Sequence, residues 1–280
     1  MSAKRAAARI FFLGFILLAG LPSGAQASSL TATPRTGDPS AVAAAGIVAN
    51  TPATLRDLFG DTPPVRRLEQ SLSPYLTVSA ENRTLLTPLM LNGGPDARQA
   101  YYVGSDMVVM ASAPLSEEVA LTLPEGHWVN FWTGAQSMGG SMFMADLPAG
   151  TLPIWVRGGS VIERRSGGYD GYFEKRLADE SKACGGSCLV DLMPAFTAEG
   201  VAATRDADGR TITRSHSGLA VEGKPTHMTV RWRFTRVTNV RVNGAPVEVR
   251  SSPEGYYASF DHVAHSTVEW TVRDYMPRSY

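Results

Sequence analysis

From Val65 onward the chain alternates apolar and polar positions with two different periods. Val65, Leu68, Leu72 and Leu76 recur at helical spacing, with Glu69 and the Arg66-Arg67 pair on other faces, so a helix is predicted here, which Pro74 would kink or restart. Leu85 to Leu91 is a short, almost wholly apolar run broken by Pro88 and suits a buried strand. Strand signals then dominate: 106–113, 118–123, 128–132, 141–145, 153–156 and 160–163 are short β-prone runs divided by Pro, Gly or Asn turns. A second β cluster follows a polar stretch, 164–186. In Thr226 to Thr235, Met228, Val230, Trp232 and Phe234 alternate with His227, Thr229, Arg231 and Arg233, which predicts one core face and one wet face. Asn243-Gly244, between Val240–Val242 and Val247–Val249, signals a hairpin. Regularly spaced short strands of this kind point to sandwiches.

The N-terminal part reads differently. Lys4, Arg5 and Arg9 form a basic head, Ile10 to Gly20 an apolar run, and Ala25-Gln26-Ala27 a small-x-small cleavage pattern, so residues 1–27 read as a secretory signal with the mature chain starting at Ser28. The apolar run falls short of the roughly 20 residues that span a bilayer, so no membrane span is expected after cleavage. Residues 28–64, with Pro34, Pro39, Pro52, Pro63 and Pro64, read as a flexible linker. The expected location is extracytoplasmic: secreted or periplasmic, or the endoplasmic-reticulum lumen in a eukaryote.

Composition narrows the function classes. The chain is 44% hydrophobic and carries 26 basic and 26 acidic residues. Loss of Lys4, Arg5 and Arg9 with the leader leaves 23 basic against 26 acidic residues, a net of −3. No basic field is available for nucleic acid. The two cysteines, Cys184 and Cys188, lie in Cys-Gly-Gly-Ser-Cys. In an oxidising compartment this reads as a small-loop disulfide; the alternative, a metal or redox pair, lacks histidines at ligand-like spacing beside it.

No nucleophile elbow, phosphate loop or His-Glu-x-x-His helix occurs. Four carboxylate pairs do occur: Glu117-Glu118, Asp179-Glu180, Asp170 with Glu174, and Asp206 with Asp208. Acid–base work needs a desolvated carboxyl, and the surroundings read as solvated turns and loops. Asp206-Ala207-Asp208-Gly209 reads as a turn rather than a calcium loop. Trp128, Phe131, Trp132 and Trp155 read as core rather than a sugar-stacking platform, with Trp128 and Trp132 on one strand face beside Asn130. Asn82-Arg83-Thr84 is a glycosylation sequon, informative only for a eukaryotic source. The sequence thus offers no catalytic, cofactor-binding or metal-ligating residue and implies no cofactor.

Three segments together resemble the region after the catalytic barrel in glycoside hydrolase family 31, the α-glucosidase, α-xylosidase and glucosidase II type. Leu123 to Gly134 is similar to that family's Leu-Pro-x-Gly-x-Trp-x-x-Phe-Trp-Thr-Gly run. Leu147 to Ile162 resembles the strand pair ending in Pro-x-Phe-x-Arg-Gly-Gly-Ser-Ile-Ile, and Gln99 with Gly104–Val109 the opening of the proximal sandwich. Leu72–Leu76 and Thr87-Pro88-Leu89 resemble the last barrel helix and strand, with Thr87 where the family has Arg. Leu189 to Gly209 resembles the distal β domain more weakly.

The resemblance implies a mainly β fold: two consecutive β-sandwich domains preceded by one helix-strand remnant of a (β/α)8 barrel. The implied organisation is signal 1–27, linker 28–64, barrel remnant 65–91, proximal sandwich 92–165, disulfide loop 166–186, distal sandwich 187–275 and tail 276–280. The family's retaining reaction on α-glycosidic bonds uses two carboxylates on barrel strands, the nucleophile in Trp-x-Asp. Here the second residues after the five tryptophans are Asn130, Gly134, Arg157, Phe234 and Val272, so the dyad is missing and the chain is expected to be inactive alone. Three roles remain: a secreted non-catalytic fragment or paralogue, a carbohydrate-binding or assembly module, and the C-terminal half of a split α-glucosidase. Expected partners are an α-glucoside, a separate barrel chain, or a second copy through residues 65–91, whose apolar stripe must find cover.

Overall fold

The computed structural model describes residues 54–81, 86–89, 100–110, 118–146, 151–165, 189–196, 202–252 and 255–277. Two helices come first, α1 (Leu55–Phe59) and α2 (Pro63–Glu81). Thr54 caps α1 in a capping box, its hydroxyl accepting from Asp57 N while the Asp57 carboxylate accepts from Thr54 N. α2 runs as one element through Pro74 rather than restarting there. Val65, Leu68 and Leu72 are fully buried and Tyr75 is 7% exposed, and this packing outweighs the backbone hydrogen bond that Pro74 cannot donate.

The strands, in chain order, begin with β1 (Thr87–Leu89), β2 (Ala100–Val103), β3 (Met107–Met110), β4 (Glu118–Thr122), β5 (His127–Asn130), β6 (Gln136–Met138), β7 (Met142–Asp146), β8 (Ile154–Arg157) and β9 (Val161–Arg164). They continue with β10 (Leu189–Leu192), β11 (Ala202–Arg205), β12 (Thr211–Arg214), β13 (Gly218–Glu222), β14 (Thr226–Arg233), β15 (Thr235–Val242), β16 (Ala245–Pro246), β17 (Arg250–Ser252), β18 (Gly255–His262) and β19 (His265–Tyr275). The fold is mainly β, as the sequence predicts.

One six-stranded antiparallel sheet has the order β1-β2-β3-β8-β5-β6. Both of its faces are buried, and successive residues feed different cores: Met107 and Val109 join the helix side with Val129 and Ile154, while Val108 and Met110 pack with Trp128 and Trp155 on the other side. β4 and β7 form a separate two-stranded sheet.

The C-terminal half is a sandwich. A five-stranded sheet, β17-β18-β14-β10-β9, faces a six-stranded sheet, β11-β12-β13-β19-β15-β16. Val190, Leu192, Met228, Val230, Trp232 and Phe260 of the first interlock with Ile212, Leu219, Val221, Val237, Val268 and Trp270 of the second. β10 pairs parallel with β14 and antiparallel with β9, so β9 is drawn into this sheet directly after the chain leaves the first one. The predicted hairpin forms: β15 pairs β16 around Asn243 and Gly244, both at positive φ (51° and 79°).

The apolar stripe of α2 is covered by the chain itself. Val65, Leu68 and Leu72 share a core with Tyr101, Val103, Met107, Ile162, Met193 and Phe234. β1 adds to the edge of the first sheet through β2. Tyr75 Oη donates to Val103 O at 2.8 Å across this contact, and burial pushes its pKa above the ordinary tyrosine range, so it stays a neutral donor.

Gly104 sits against that hydroxyl with φ +64°, and a Cβ there would overlap Tyr75 Oη and Ser79 Oγ. Gly104→Ala is expected to lower stability by about 3 kcal/mol, through the left-handed backbone and the overpacked helix contact together. Urea denaturation checks this; a change under about 0.5 kcal/mol would show that α2 is not seated on β2 as described.

Candidate functional site

The side-chain cluster with the most buried charge centres on Asp191, in the middle of β10. Its neighbours in sequence, Leu189, Val190, Leu192 and Met193, are all apolar and buried, so the carboxylate has no route to water and is itself fully buried. Three arginines surround it. Arg231 Nε donates to Oδ1 at 2.7 Å and Nη2 to Oδ2 at 2.8 Å, a bidentate pair across the parallel β10–β14 register. Arg164 Nη1 and Arg233 Nη1 each reach Oδ2 at 3.2 Å. Burial alone would raise the Asp191 pKa; Arg231, Arg164 and Arg233 outweigh it and hold the carboxyl well below the usual carboxylate range.

The cluster links elements far apart in sequence. Arg164 Nε donates to Ser71 Oγ of α2 at 2.9 Å, and Arg165 N to Ser71 O at 2.7 Å. Arg233 Nη2 donates to Phe131 O at 2.7 Å, and its guanidinium lies 4.3 Å over the Phe131 ring. The expected wet face of 226–235 is therefore wrong beyond His227: Thr229 is buried, and Arg231 and Arg233 are buried because α2 and the Phe131 turn cover that face of the sheet.

Phe131 belongs to the Leu123–Gly134 run, which closes on itself. Trp128 Nε1 donates to Pro124 O at 2.7 Å. Past the end of β5 the Asn130 carboxamide oxygen accepts from Trp132 N at 2.9 Å and Thr133 N at 3.0 Å, forming an Asx turn. Trp132 Nε1 donates to Leu152 O at 2.6 Å. Gly134, at φ +78°, lies where a Cβ would overlap the Phe234 ring, so the last position of the motif is held to glycine by close approach. Trp128 and Trp132 do not share a face: the turn sends Trp132 to the helix-side core and leaves Trp128 on the opposite side of the sheet. Trp128, Trp132, Trp155, Trp232 and Trp270 are all buried, so none of the five offers a stacking platform at the surface.

Of the carboxylate pairs, Asp206 with Asp208 falls among residues whose side chains are described. Asp206 is buried rather than solvated. Its Oδ1 accepts from Asp208 N and Arg210 N, its Oδ2 from Arg210 Nε, while Arg210 Nη2 reaches Asp208 at 2.8 Å. The segment is a turn, as expected, built around a closed ion pair in which Arg210 and the turn's own amides take up both oxygens of Asp206. Glu117, Asp170, Glu174, Asp179, Glu180, Asn82 and the Cys184–Cys188 pair lie outside the described residues, and nothing is described of the Glu118 side chain. Among the described residues no group of three His, Cys, Asp or Glu could hold a metal ion, and no helix is long and apolar enough to cross a membrane.

An open trough of about 350 Å³ lies on the five-stranded sheet, lined by His227, Glu248, Arg250, Tyr257 and Ser259. His227 Nδ1 pairs with Asp261 Oδ1 at 2.7 Å, and Ser259 Oγ with Thr229 Oγ1 at 2.8 Å. The serine is thus tied to a threonine and not to the histidine, which leaves no nucleophile–base pair. The trough offers hydrogen-bonding groups without an exposed aromatic face, since Tyr257 is 2% exposed.

Asp191→Asn is expected to cost about 3–5 kcal/mol near pH 7, because it leaves three buried guanidinium groups around a neutral amide. The wild-type carboxyl titrates below its unfolded value of 3.8, so its contribution is complete above that pH and is lost as pH falls from there towards the lower folded value. Denaturation at a series of pH values should show the variant with a flatter acid limb; equal slopes would remove Asp191 as the group responsible.

Residues 83–162 match the glycosyl hydrolase family 31 C-terminal domain. No curated protein matches the chain. Among solved structures, the cycloalternan-forming enzyme of Listeria monocytogenes, in complex with a pentasaccharide substrate, superposes with a TM-score of 0.55 at 19% identity, over 76% of this chain and 24% of that one. The GH31 dextranase of Flavobacterium johnsoniae, complexed with glucose, gives 0.50 at 15% identity over 74% of this chain and 32% of that one. At such identities the likeness shows the fold, and the chain spans about a quarter to a third of those proteins' lengths. The segment that carries the likeness, residues 83–162, holds the Phe131 turn that docks on the Asp191 cluster, and it is this segment that resembles the glycosyl hydrolase family 31 C-terminal domain.

Proposed function

We propose that these 280 residues act as an exported, non-catalytic post-barrel part of a family 31 type protein, inactive towards α-glycosides on their own. The observation that carries this reading is the pairing of the family match over 83–162 with the lack of any Trp-x-Asp in the sequence. The buried carboxylates add support: Asp191 is locked as an anion by three arginines and Asp206 by Arg210, so neither is placed to exchange a proton with a substrate. In this reading residues 65–91 are the barrel-derived helix and strand, and 92–165 and 187–275 the two sandwich modules.

A second role, as the C-terminal half of a split α-glucosidase, draws support from the small share that the chain covers of the enzymes it superposes on. A separate barrel chain would then supply both carboxylates. Such a partner, or a second copy, would have to use surfaces other than the stripe of α2, which the chain's own core covers. A role in carbohydrate binding would rest on polar contacts such as those of the His227 trough, since the tryptophans are buried.

Purified mature protein is expected to release no product from maltose, isomaltose or aryl α-glucosides and α-xylosides, and to gain activity only on mixing with a barrel chain. Hydrolysis that copurifies with this chain and persists in Asp206→Asn and Asp208→Asn variants would overturn the non-catalytic reading. The leader at 1–27 and the Cys184–Cys188 disulfide belong to the same proposal of export. Intact mass after alkylation without reductant should correspond to a chain beginning at Ser28 with no labelled thiol; two labelled cysteines would refute the bridge.

A further inference from the structure

At one end of the C-terminal sandwich, between β12, β14 and β19, lies a cavity of about 60 Å³ whose lining includes Phe196, Arg214, Trp232, Trp270, Val272 and Tyr275. Its walls are aromatic. Trp232 and Trp270 meet edge to face with ring centroids 5.4 Å apart, and Phe196 and Tyr275 do so at 5.2 Å. Its permanent charge is Arg214, 4% exposed, and His216 is a second ionisable side chain in the lining. Arg214 Nη1 donates to Met193 O at 2.6 Å and Ser160 O at 3.1 Å, which pins the guanidinium in place. The rest of that group is unused: among the described residues Arg214 makes no ion pair, and its Nε is buried without a hydrogen-bond partner. Trp232 Nε1, in the same lining, is likewise buried and unpartnered.

What sets Arg214 apart from the other buried arginines described above is the missing carboxylate among the described residues, since a buried Nε without a hydrogen-bond partner also occurs on Arg233. Arg164, Arg231 and Arg233 share Asp191, and Arg210 has Asp206. A buried cation without a counter-charge is costly, and unmade donors add to the cost. Burial pushes the Arg214 pKa down to about 10, which still leaves it charged at neutral pH. We propose that this pocket binds a small monocarboxylate, of about the size of acetate, in a fork formed by the Nε and Nη2 edge of Arg214, with Trp232 Nε1 as a further donor and the aromatic rings around the ligand's apolar body. The planar Nε–Nη2 edge matches the two oxygens of a carboxylate. The aromatic walls favour an organic anion over a strongly hydrated inorganic one. Size sets the upper limit: one water needs about 10–15 Å³ in this measure, so 60 Å³ admits about four heavy atoms. The inference is independent of the proposed glycoside hydrolase relationship and of any activity.

The test is calorimetric titration of the whole mature protein with sodium acetate, with sodium chloride at matched ionic strength and with acetamide, the neutral isostere. Acetate should give saturable heat with a Kd of about 1 mM, and the other two none. At 100 mM acetate the thermal midpoint should rise by about 5–10 °C. Arg214→Met should abolish the acetate heat. Should that variant fail to fold, Val272→Trp decides: Val272 is 42% exposed, so a larger ring there blocks the mouth without disturbing the core. Equal heats from acetate and chloride, equal heats from acetate and acetamide, or acetate binding retained in Val272→Trp would each overturn the proposal.

Discussion

The ion cluster around Asp191 is the constraint on which the rest of the structure depends. One carboxylate with no exposure takes four hydrogen bonds from three guanidinium groups, and those groups come from β9 and from two positions of β14. Each of the outer arginines then reaches further, Arg164 to Ser71 of α2 and Arg233 to the carbonyl and ring of Phe131. An isolated buried charge is strongly unfavourable, and a buried carboxylate held by several donors has few alternative geometries. The cluster therefore acts less as a source of net stability than as a register pin: it fixes which face of the five-stranded sheet receives the helix and the turn.

Around this pin the two halves share material. The far face of the five-stranded sheet contributes Ile162 and Met193 to the same core as α2, Val103 and Phe131, while its near face builds the sandwich core with Val190, Leu192 and Trp232. The Arg157–Ser160 segment carries the chain from one sheet to the other, with Gly158 N bonded to His127 O and Gly159 N to Pro194 O. Arg214 ties the end of this segment to β12 through the carbonyls of Ser160 and Met193. The Leu123–Gly134 run and the Arg157–Ser160 segment thus occupy the seam between sheets. Gly134, Phe131 and Trp132 answer there to backbone approach and packing.

Much of this was legible beforehand because it is local. Short β-prone runs between turn residues placed β1, β3–β5 and β7–β9 to within a few residues, alternation placed β14, Asn243-Gly244 placed its hairpin, and the spacing of Val65, Leu68 and Leu72 placed the buried stripe of α2. The clearest failure was Arg231 and Arg233. Alternation identifies two faces of a strand but cannot say whether the polar one meets water or another layer, and in a seam both faces are buried. One signal was present and could have been used: Asp191 stands alone in the apolar run Leu189–Met193, and a lone acid in a buried strand requires cationic partners. Asp206 misled in the opposite way, since its turn was read correctly while the closing of the carboxylate by Arg210 was not.

The sequence by itself determined the mainly β character, the approximate places of β1, β3–β5, β7–β9 and β14–β16, the family likeness of the 83–162 segment and the lack of a Trp-x-Asp nucleophile motif, because each is written in residues adjacent along the chain. Tertiary structure alone decided that Trp132 parts from Trp128, that α2 is covered by this chain's own sheets, and that Asp191 gathers arginines from 27, 40 and 42 positions away. It also decided that Arg214 is left without an acid among the described residues. The physical reason is common to all four. Whether a charge or a ring is buried, and beside what, depends on which strand pairs with which, and that pairing is fixed by contacts between segments that no local pattern connects.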